Sequence, residues 1–525
     1  MRPALLFAGA ALLSGVTMLN GIQPNDEGLM LAGAARIAEG QVPYSDFWWF
    51  YPPGQPYLLA GLWELFGPSL LPWRIVRVLC DAGVAVLAYA LAVRGGASPR
   101  LALATWLAAA LAMAYPSGPH PFPVVLVLAL AALLLFESRP LVAGVLAGVA
   151  AAWRIEFAAY LGLGVVLAYA LRVEQDRRGF DPAAFARDAG GFVAIALATA
   201  LLFFAPVVAA AGLPDSWDLL VRYPVEDFSD YQSLPFPLDY AGPLNTGSPG
   251  GFFSDSAENL LLFYLPLALV AGLAGALLAL TLRFRRERWP QVATAVFALG
   301  TAHYLLTRPD VFHAAPLAVM VAVLAGWAIA GRREKQPAAT GSGAPARRVA
   351  GIAGVVLAGV GLAYTIVEGL DRRWLEFRTD YAELRLRPAD GVRVAEAART
   401  PLERAVRHVR EQVPPGRPIY VATRRSDLVT SGYPLFYVLA ERPNPTRYDI
   451  QAPGVVTTAP VQREIVRDLR RTRTPVVVRW TAPLSAEPEP NKGGEPTGVT
   501  ILDDHLRRAY RPEARYGAFV ILERR

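Results

Sequence analysis

Apolar runs of roughly 15 to 25 residues, each about long enough to cross some 30 Å of hydrocarbon, recur along the chain down to about Val367. They lie near Ala4 to Leu19, Leu71 to Val93, Leu101 to Tyr115, Val124 to Phe136, Leu141 to Trp153, Phe157 to Leu171, Gly191 to Ala211, Asn259 to Leu282, Val292 to Leu306, Ala314 to Ala330 and Val349 to Val367. In lipid every backbone amide and carbonyl must be satisfied within the segment, so these runs predict helices. The expected architecture is a polytopic α-helical membrane protein with about eleven spans. The fourth to sixth runs are short, and the pair flanking "WRIEF" reads either as two spans or as one merged or re-entrant element.

Composition agrees. With 525 residues, 54% hydrophobic, and a mean hydropathy of +0.32, the chain does not read as one soluble domain. The first run follows Arg2 and has the length of a signal-peptide core, but no small-x-small cleavage site follows, so an uncleaved first helix is expected. The lone Cys80 excludes a disulfide framework and a thiolate metal site. The net charge of +7 rests almost wholly on arginine, with lysine only at Lys335 and Lys492. Alongside abundant Ala, Gly and Pro, that bias points to a GC-rich bacterial genome and does not imply a nucleic-acid partner.

Arginines mark the side that stays in the cytoplasm. Arg94 with Arg100, Arg139, "RVEQDRRGF", "RFRRER" and "GRREK" through "ARR" fall on one side if the first helix starts inside. The opposite side receives "QPNDEG" through "LFGPSL", "PSGPHPFP", the "WRIEF" turn, the loop Gly212 to Glu258, "TRPDVFH" and everything after the last span. That tail carries short buried-strand patterns at "PIYVAT", "PVVVRW" and "GAFVILE", and amphipathic helical patterns at "PLERAVRHVREQV" and "VQREIVRDLRR". The expected domains are a membrane module over 1–368 and a small extracytoplasmic α/β domain over 369–525. "EPEPNKGG" reads as a loop and "KQPAATGSGAPARR" as a flexible cytoplasmic linker.

"QPNDEGLML" places Asp26 and Glu27 side by side just after the first span, where paired carboxylates repel and are costly near hydrocarbon. Helix capping would account for Asn25, Asp26 and Glu27 without catalysis, and the two roles can coexist. A short apolar helix stopped at Gly40 follows, then "QVPYSDFWWFYPPGQPYLLAGLWELFG" with a second short helix. Both are expected along the interface, apolar faces in the headgroup zone, roofing a cavity. The "WWFY" aromatics suit an interfacial belt or sugar stacking.

An Asp-Glu pair after the first span, interfacial helices, "PYSDFWWFYPPGQPY" and a later charged outer turn together resemble the GT-C superfamily of polytopic glycosyltransferases. Within it the resemblance is to the branch of protein O-mannosyltransferases and lipid A aminoarabinose transferases, glycosyltransferase family 39-like. It covers roughly the first seventy per cent of the chain, most specifically Asp26 to Tyr57. The resemblance implies an inverting transfer of a sugar from a polyprenyl-phosphate donor to an extracytoplasmic glycan, lipid or protein acceptor. It also implies a multi-pass protein of the bacterial cell (inner) membrane, N-terminus cytoplasmic. Asp26 would be the catalytic base, and Glu27 would orient the acceptor or hold the loop.

A polyprenyl phosphate needs cations where its charge develops. The outer-side candidates are Arg74, Arg77, Arg154, Arg222 and Arg308. Arg154, at a turn where family members often have a basic residue, Arg308 and His313 of "TRPDVFH", and Arg74 are taken as donor phosphate-binding residues. A mutual ion pair of Arg154 with Glu156, pinning the turn, is the plainer alternative, as is helix capping for Asp310. Asp46, Trp48, Tyr51, Glu156 and His120 are the candidate acceptor- or sugar-binding residues. His303 reads as a packed polar residue. No His or Cys spacing suggests zinc; outer carboxylates suit a divalent hard cation, but nothing fixes a site. A transporter or lipid-linked sugar flippase, or a membrane-anchored sensor or assembly protein, are the rival readings.

Overall fold

The computed structural model describes residues 3–113, 120–177, 181–235, 260–283, 288–331 and 344–525. Each apolar run corresponds to a helix: α1 (Pro3–Gly15), α4 (Leu71–Arg94), α5 (Pro99–Met113), α6 (Phe122–Leu135), α7 (Pro140–Trp153), α8 (Ile155–Arg177) and α9 (Pro182–Ala211). Past α10 (Leu213–Trp217) and α11 (Phe228–Gln232) come α12 (Leu265–Arg283), α13 (Trp289–Thr307), α14 (Val311–Gly331) and α15 (Ala344–Arg378). Among the described residues six helices are long and apolar enough to cross a membrane, and four apolar ones are shorter. The chain is a multi-pass membrane protein. Most of "RFRRER" and of "KQPAATGSGAPARR", and parts of "RVEQDRRGF", "PSGPHPFP" and the Gly212 to Glu258 loop lie outside the described residues.

Prolines open α4, α7, α9 and α13, where a missing N–H costs nothing, and the Asp181 carboxylate accepts the Ala183 and Ala184 amides at the start of α9. Close packing between spans depends on small residues. A Cβ at Gly148 of α7 would stand 2.4 Å from the Ala196 carbonyl oxygen of α9. The "WRIEF" junction is a true break: Arg154 is extended, at φ −153° and ψ 107°, between α7 and α8. The two helices are not merged into one.

The loop after α1 forms α2 (Asp26–Ala38) and α3 (Gly54–Phe66). Here one expectation is corrected. α2 does not lie with its apolar face among headgroups; Leu29, Met30, Leu31 and Ala34 are buried between α3 and the tail. Arg36 of α2 reaches the tail as a two-pronged donor to Asp449, at 2.5 and 3.1 Å, and also donates to the Thr446 carbonyl at 2.5 Å.

Helix α15 runs unbroken through residue 368, so the membrane module and the tail share one rigid element there. β1 (Tyr381–Glu383) and β2 (Arg393–Ala395) pair antiparallel, and Gly21 of the first loop donates to the Arg393 carbonyl at 2.7 Å. The main sheet has the order β3 (Ile419–Ala422), β4 (Val476–Trp480), β6 (Phe519–Arg524), β5 (Tyr510–Tyr516), with β3 and β4 parallel and the rest antiparallel. Side chains alternate across it. Ile419, Val421, Val476 and Val478 pack toward α16 (Glu396–Gln412), while Tyr420 and Val477 pack toward α18 (Ala459–Arg471) and α19 (Ile501–Ala509). The fourth helix of this region, the short α17 (Leu435–Ala440), packs on α2.

Candidate active site

A cavity of about 1350 Å³ lies between one end of the membrane helices and the tail. Asp26, Tyr51, His120, Arg154, Glu156, Arg308 and His313 all line it, drawn from the first loop, the α7–α8 break and the α13–α14 turn. The sequence separates these groups by up to 287 positions, from Asp26 to His313; the fold brings them to one space.

Asp26 opens α2, yet neither it nor Asn25 caps the helix with its side chain. The Asp26 carboxylate instead takes the Asn25 side-chain amide at 3.1 Å and faces His120 Nε2 at 3.5 Å. Its side chain is 45% exposed, and what it is exposed to is the cavity. His120 is stacked on Phe312, ring centres 3.5 Å apart. Arg154 pairs with Glu156 at 2.5 Å and lies over the Tyr304 and Tyr51 rings at 5.0 and 5.9 Å. The ion pair expected as the plainer reading of "WRIEF" is therefore present, and both its members still face the cavity. Asp310 accepts the His313 amide at 2.8 Å and its ring Nδ1 at 2.7 Å, a cap that also fixes the imidazole.

Four candidates fall elsewhere. Glu27 is fully buried and its carboxylate takes Arg74 Nε and Nη2 at 3.0 and 2.9 Å; Arg74 also donates to the Met18 and Gly21 carbonyls. With its fork filled inside the loop, Arg74 has no donor facing the cavity, and Glu27 holds the loop rather than touching an acceptor. Trp48 is packed against Tyr223 and Phe50, and the Asp46 carboxylate closes a turn by accepting the Val42 amide at 2.7 Å. Of "WWFY", Phe50 and Tyr51 line the cavity. Arg222 is half-exposed among Asp218, Glu226 and Asp227.

Sequence reasoning read His303 only as a packed polar residue and did not single out Tyr160, yet the two hydrogen-bond at 2.6 Å on the cavity wall; nor did it name the tail residues that cover the cavity. The tail contributes Thr430, Ser431 and the "EPEP" segment, whose Glu489 holds Arg308 at 2.6 and 3.3 Å. Two carboxylates spaced by prolines were the available signal. Among the described residues no group of three or more His, Cys, Asp or Glu could hold a metal, so no metal site is assigned.

Burial pushes the Asp26 carboxyl up, but His120, Asn25 and the Arg308 charge outweigh it, and the group titrates below its ordinary 3.8. His120 is held below its ordinary 6.5, burial outweighing the pull of Asp26. At both groups the folded chain binds fewer protons than the unfolded one as the medium turns acid, so stability falls as pH falls. The expected result is a lower melting temperature at about pH 5 than at about pH 7, with His120→Phe flattening that difference. An unchanged slope in His120→Phe would remove His120 from the pair.

No family model matches the chain, and no curated protein sequence matches it. Solved structures do. ArnT from Cupriavidus metallidurans, crystallised bound to undecaprenyl phosphate, aligns over 99% of this chain and 97% of its own, at TM-score 0.53 and 15% identity. The chain shares the fold of that protein along nearly its whole length. The apo form of ArnT aligns with the same coverage, at TM-score 0.53 and 14% identity. The oligosaccharyltransferase AglB from Archaeoglobus fulgidus, solved with an inhibitory peptide and a dolichol-phosphate, covers 91% of this chain and 69% of its own, at 11% identity and TM-score 0.46. This fold places the α2 amino terminus, the α7–α8 break and the α13–α14 turn around one cavity, which the tail also lines.

Proposed function

We propose that this chain is an inverting glycosyltransferase that moves a sugar from a polyprenyl-phosphate donor to an acceptor on the extracytoplasmic side of a bacterial cell membrane. The observation that carries the reading is one carboxylate, Asp26, sharing a cavity with two arginines, Arg154 and Arg308, and with His313. That combination suits one reaction well. The acceptor oxygen attacks the anomeric carbon, Asp26 takes the acceptor proton, and the anomeric carbon–oxygen bond to phosphate breaks with its electron pair on the phosphate oxygen. Arg154 and Arg308 meet the growing charge in a water-poor site, where fixed cations count most. Tyr51, Glu156 and His120 line the same cavity and would bind sugar or acceptor hydroxyls. The ArnT structure with undecaprenyl phosphate supports the class of donor. A volume of about 1350 Å³ exceeds a typical small-molecule site and suits two substrates held together.

The test is transfer of radiolabelled sugar from a panel of polyprenyl-phosphate sugars, in membranes containing the native chain or its Arg154→Gln variant. Transfer from one donor by the native chain, reduced at least tenfold in the variant, is expected. No transfer from any donor would count against the transferase and return weight to a flippase.

A further inference from the structure

We propose that Glu489 competes with the donor phosphate for Arg308, and that its return to Arg308 expels the polyprenyl phosphate left after transfer. The proposal rests on Arg308 being a phosphate partner in the reaction above.

Arg308 presents its guanidinium to the cavity with the fork already engaged. Nη1 donates to the Gln232 carbonyl at 2.5 Å and to Glu489 at 3.3 Å, Nη2 donates to Glu489 at 2.6 Å, and Asp310 lies 3.5 Å from Nε. A carboxylate held by two guanidinium nitrogens has the charge and geometry of two phosphate oxygens. A phosphate at this arginine therefore has to displace Glu489, the member of the set that belongs to the tail. Both side chains are about one-fifth exposed, at 21 and 18%, so the pair is accessible from the cavity.

The segment carrying Glu489 is built as a fixed arm. Pro488 and Pro490 flank it, limiting the backbone on both sides. Asn491 donates to the Ser233 carbonyl at 2.9 Å, Lys492 pairs with Asp230 at 3.4 Å and lies over the Tyr231 ring at 4.9 Å, and Thr430 donates to the Glu487 carbonyl. Asn491 also donates to Glu489 at 3.1 Å. Displaced from Arg308, the carboxylate keeps that amide as a partner, which lowers the cost of its leaving.

Charge decides the order of events. The donor is a phosphodiester carrying one negative charge, as Glu489 does, so the two compete on similar terms. Once the anomeric bond breaks, the phosphate becomes a monoester of between one and two charges at neutral pH, with a second pKa of about 6. Arg308 thus turns from Glu489 toward phosphate as the transition state is approached, which is where displacement assists the rate. After transfer the same preference would retain the product. Glu489, tethered beside Arg308, supplies the competing anion at high local concentration and keeps product release fast.

The experiment measures equilibrium binding of undecaprenyl phosphate to the full chain in lipid nanodiscs for native, Arg308→Gln, Glu489→Gln and the double variant, each checked for folding by thermal unfolding. Arg308→Gln should weaken binding at least tenfold. Glu489→Gln should tighten it about tenfold, and the tightening should vanish in the double variant, because the competition acts through Arg308. In transfer assays Glu489→Gln should lower both KM for donor and kcat; Glu489→Ala replaces it if the Gln variant does not fold. Weakening in Arg308→Gln with no tightening in Glu489→Gln would overturn the competition and leave the phosphate role of Arg308 standing. Unchanged binding in Arg308→Gln would remove that role and the proposal with it. Tightening that persists in the double variant would also overturn it.

Discussion

Asp26→Asn is expected to lower sugar transfer by about 10²- to 10⁴-fold while donor binding stays near native, the loss typical of removing a positioned general base. The substitution keeps size and polarity, and Asp26 caps nothing with its side chain, so the helix it opens does not depend on the carboxylate. What is lost is the proton acceptor facing the cavity. Its neighbour behaves differently: Glu27, fully buried on Arg74, would disturb folding when truncated, since breaking a buried pair costs about 3–5 kcal/mol. Initial rates on purified, folded protein, with donor binding measured in parallel, separate the two. Equal transfer by native and Asp26→Asn would remove Asp26 from the chemistry.

Gly28→Ala is expected to lift the tail from the first loop. A Cβ at Gly28 would stand 2.0 Å from the Leu435 amide nitrogen and 2.6 Å from its Cα, backbone atoms that no rotamer change can move aside. The Leu435 amide donates to the Pro24 carbonyl at 3.1 Å, and the Gly432 amide donates to Asn25 at 3.2 Å, so the clash falls where the tail is fastened. Overpacking of this kind costs about 1–3 kcal/mol or more. Hydrogen exchange over residues 432–440 should rise and transfer should fall, because the roof of the cavity moves with α17. Native-like protection in that stretch would refute the argument. In "DEG" three consecutive residues thus meet three demands: Asp26 faces the cavity, Glu27 locks the loop to Arg74, and Gly28 admits another backbone.

The membrane part was legible because its signal is local. Run length and apolarity alone gave a helix at each position, and the small residues that let α7 and α9 approach only refine it. The strands "PIYVAT" and "PVVVRW" were legible for the same reason, being apolar on both faces and covered on both. β5 was not, since "YRPEARY" is mostly exposed and earns its place by pairing with β6. For the site, residue type served where chemistry needs a charge: Asp26, Arg154 and Arg308 all reach the cavity. It did not set apart Arg74, whose charge suited a site equally well and instead meets Glu27 47 positions away, leaving Glu27 the second of its two expected roles, holding the loop. Nor does any local pattern tell that Glu489 would cross 181 positions to meet Arg308, or that Arg36 would find Asp449. Those partners depend on where a separate layer of the fold comes to rest.

The docking of the tail on α2 also sets a timetable for synthesis. Arg36 emerges from the ribosome 413 residues before Asp449, and Asn25 emerges 407 residues before Gly432. At about 5–20 residues per second, this is a wait of roughly 20 to 80 s. During that interval the loop bearing Asp26 has been made but lacks the surface that buries its helix. The cavity is complete only once the tail is made, so a chain halted within the tail carries the carboxylate without the full set of walls around it.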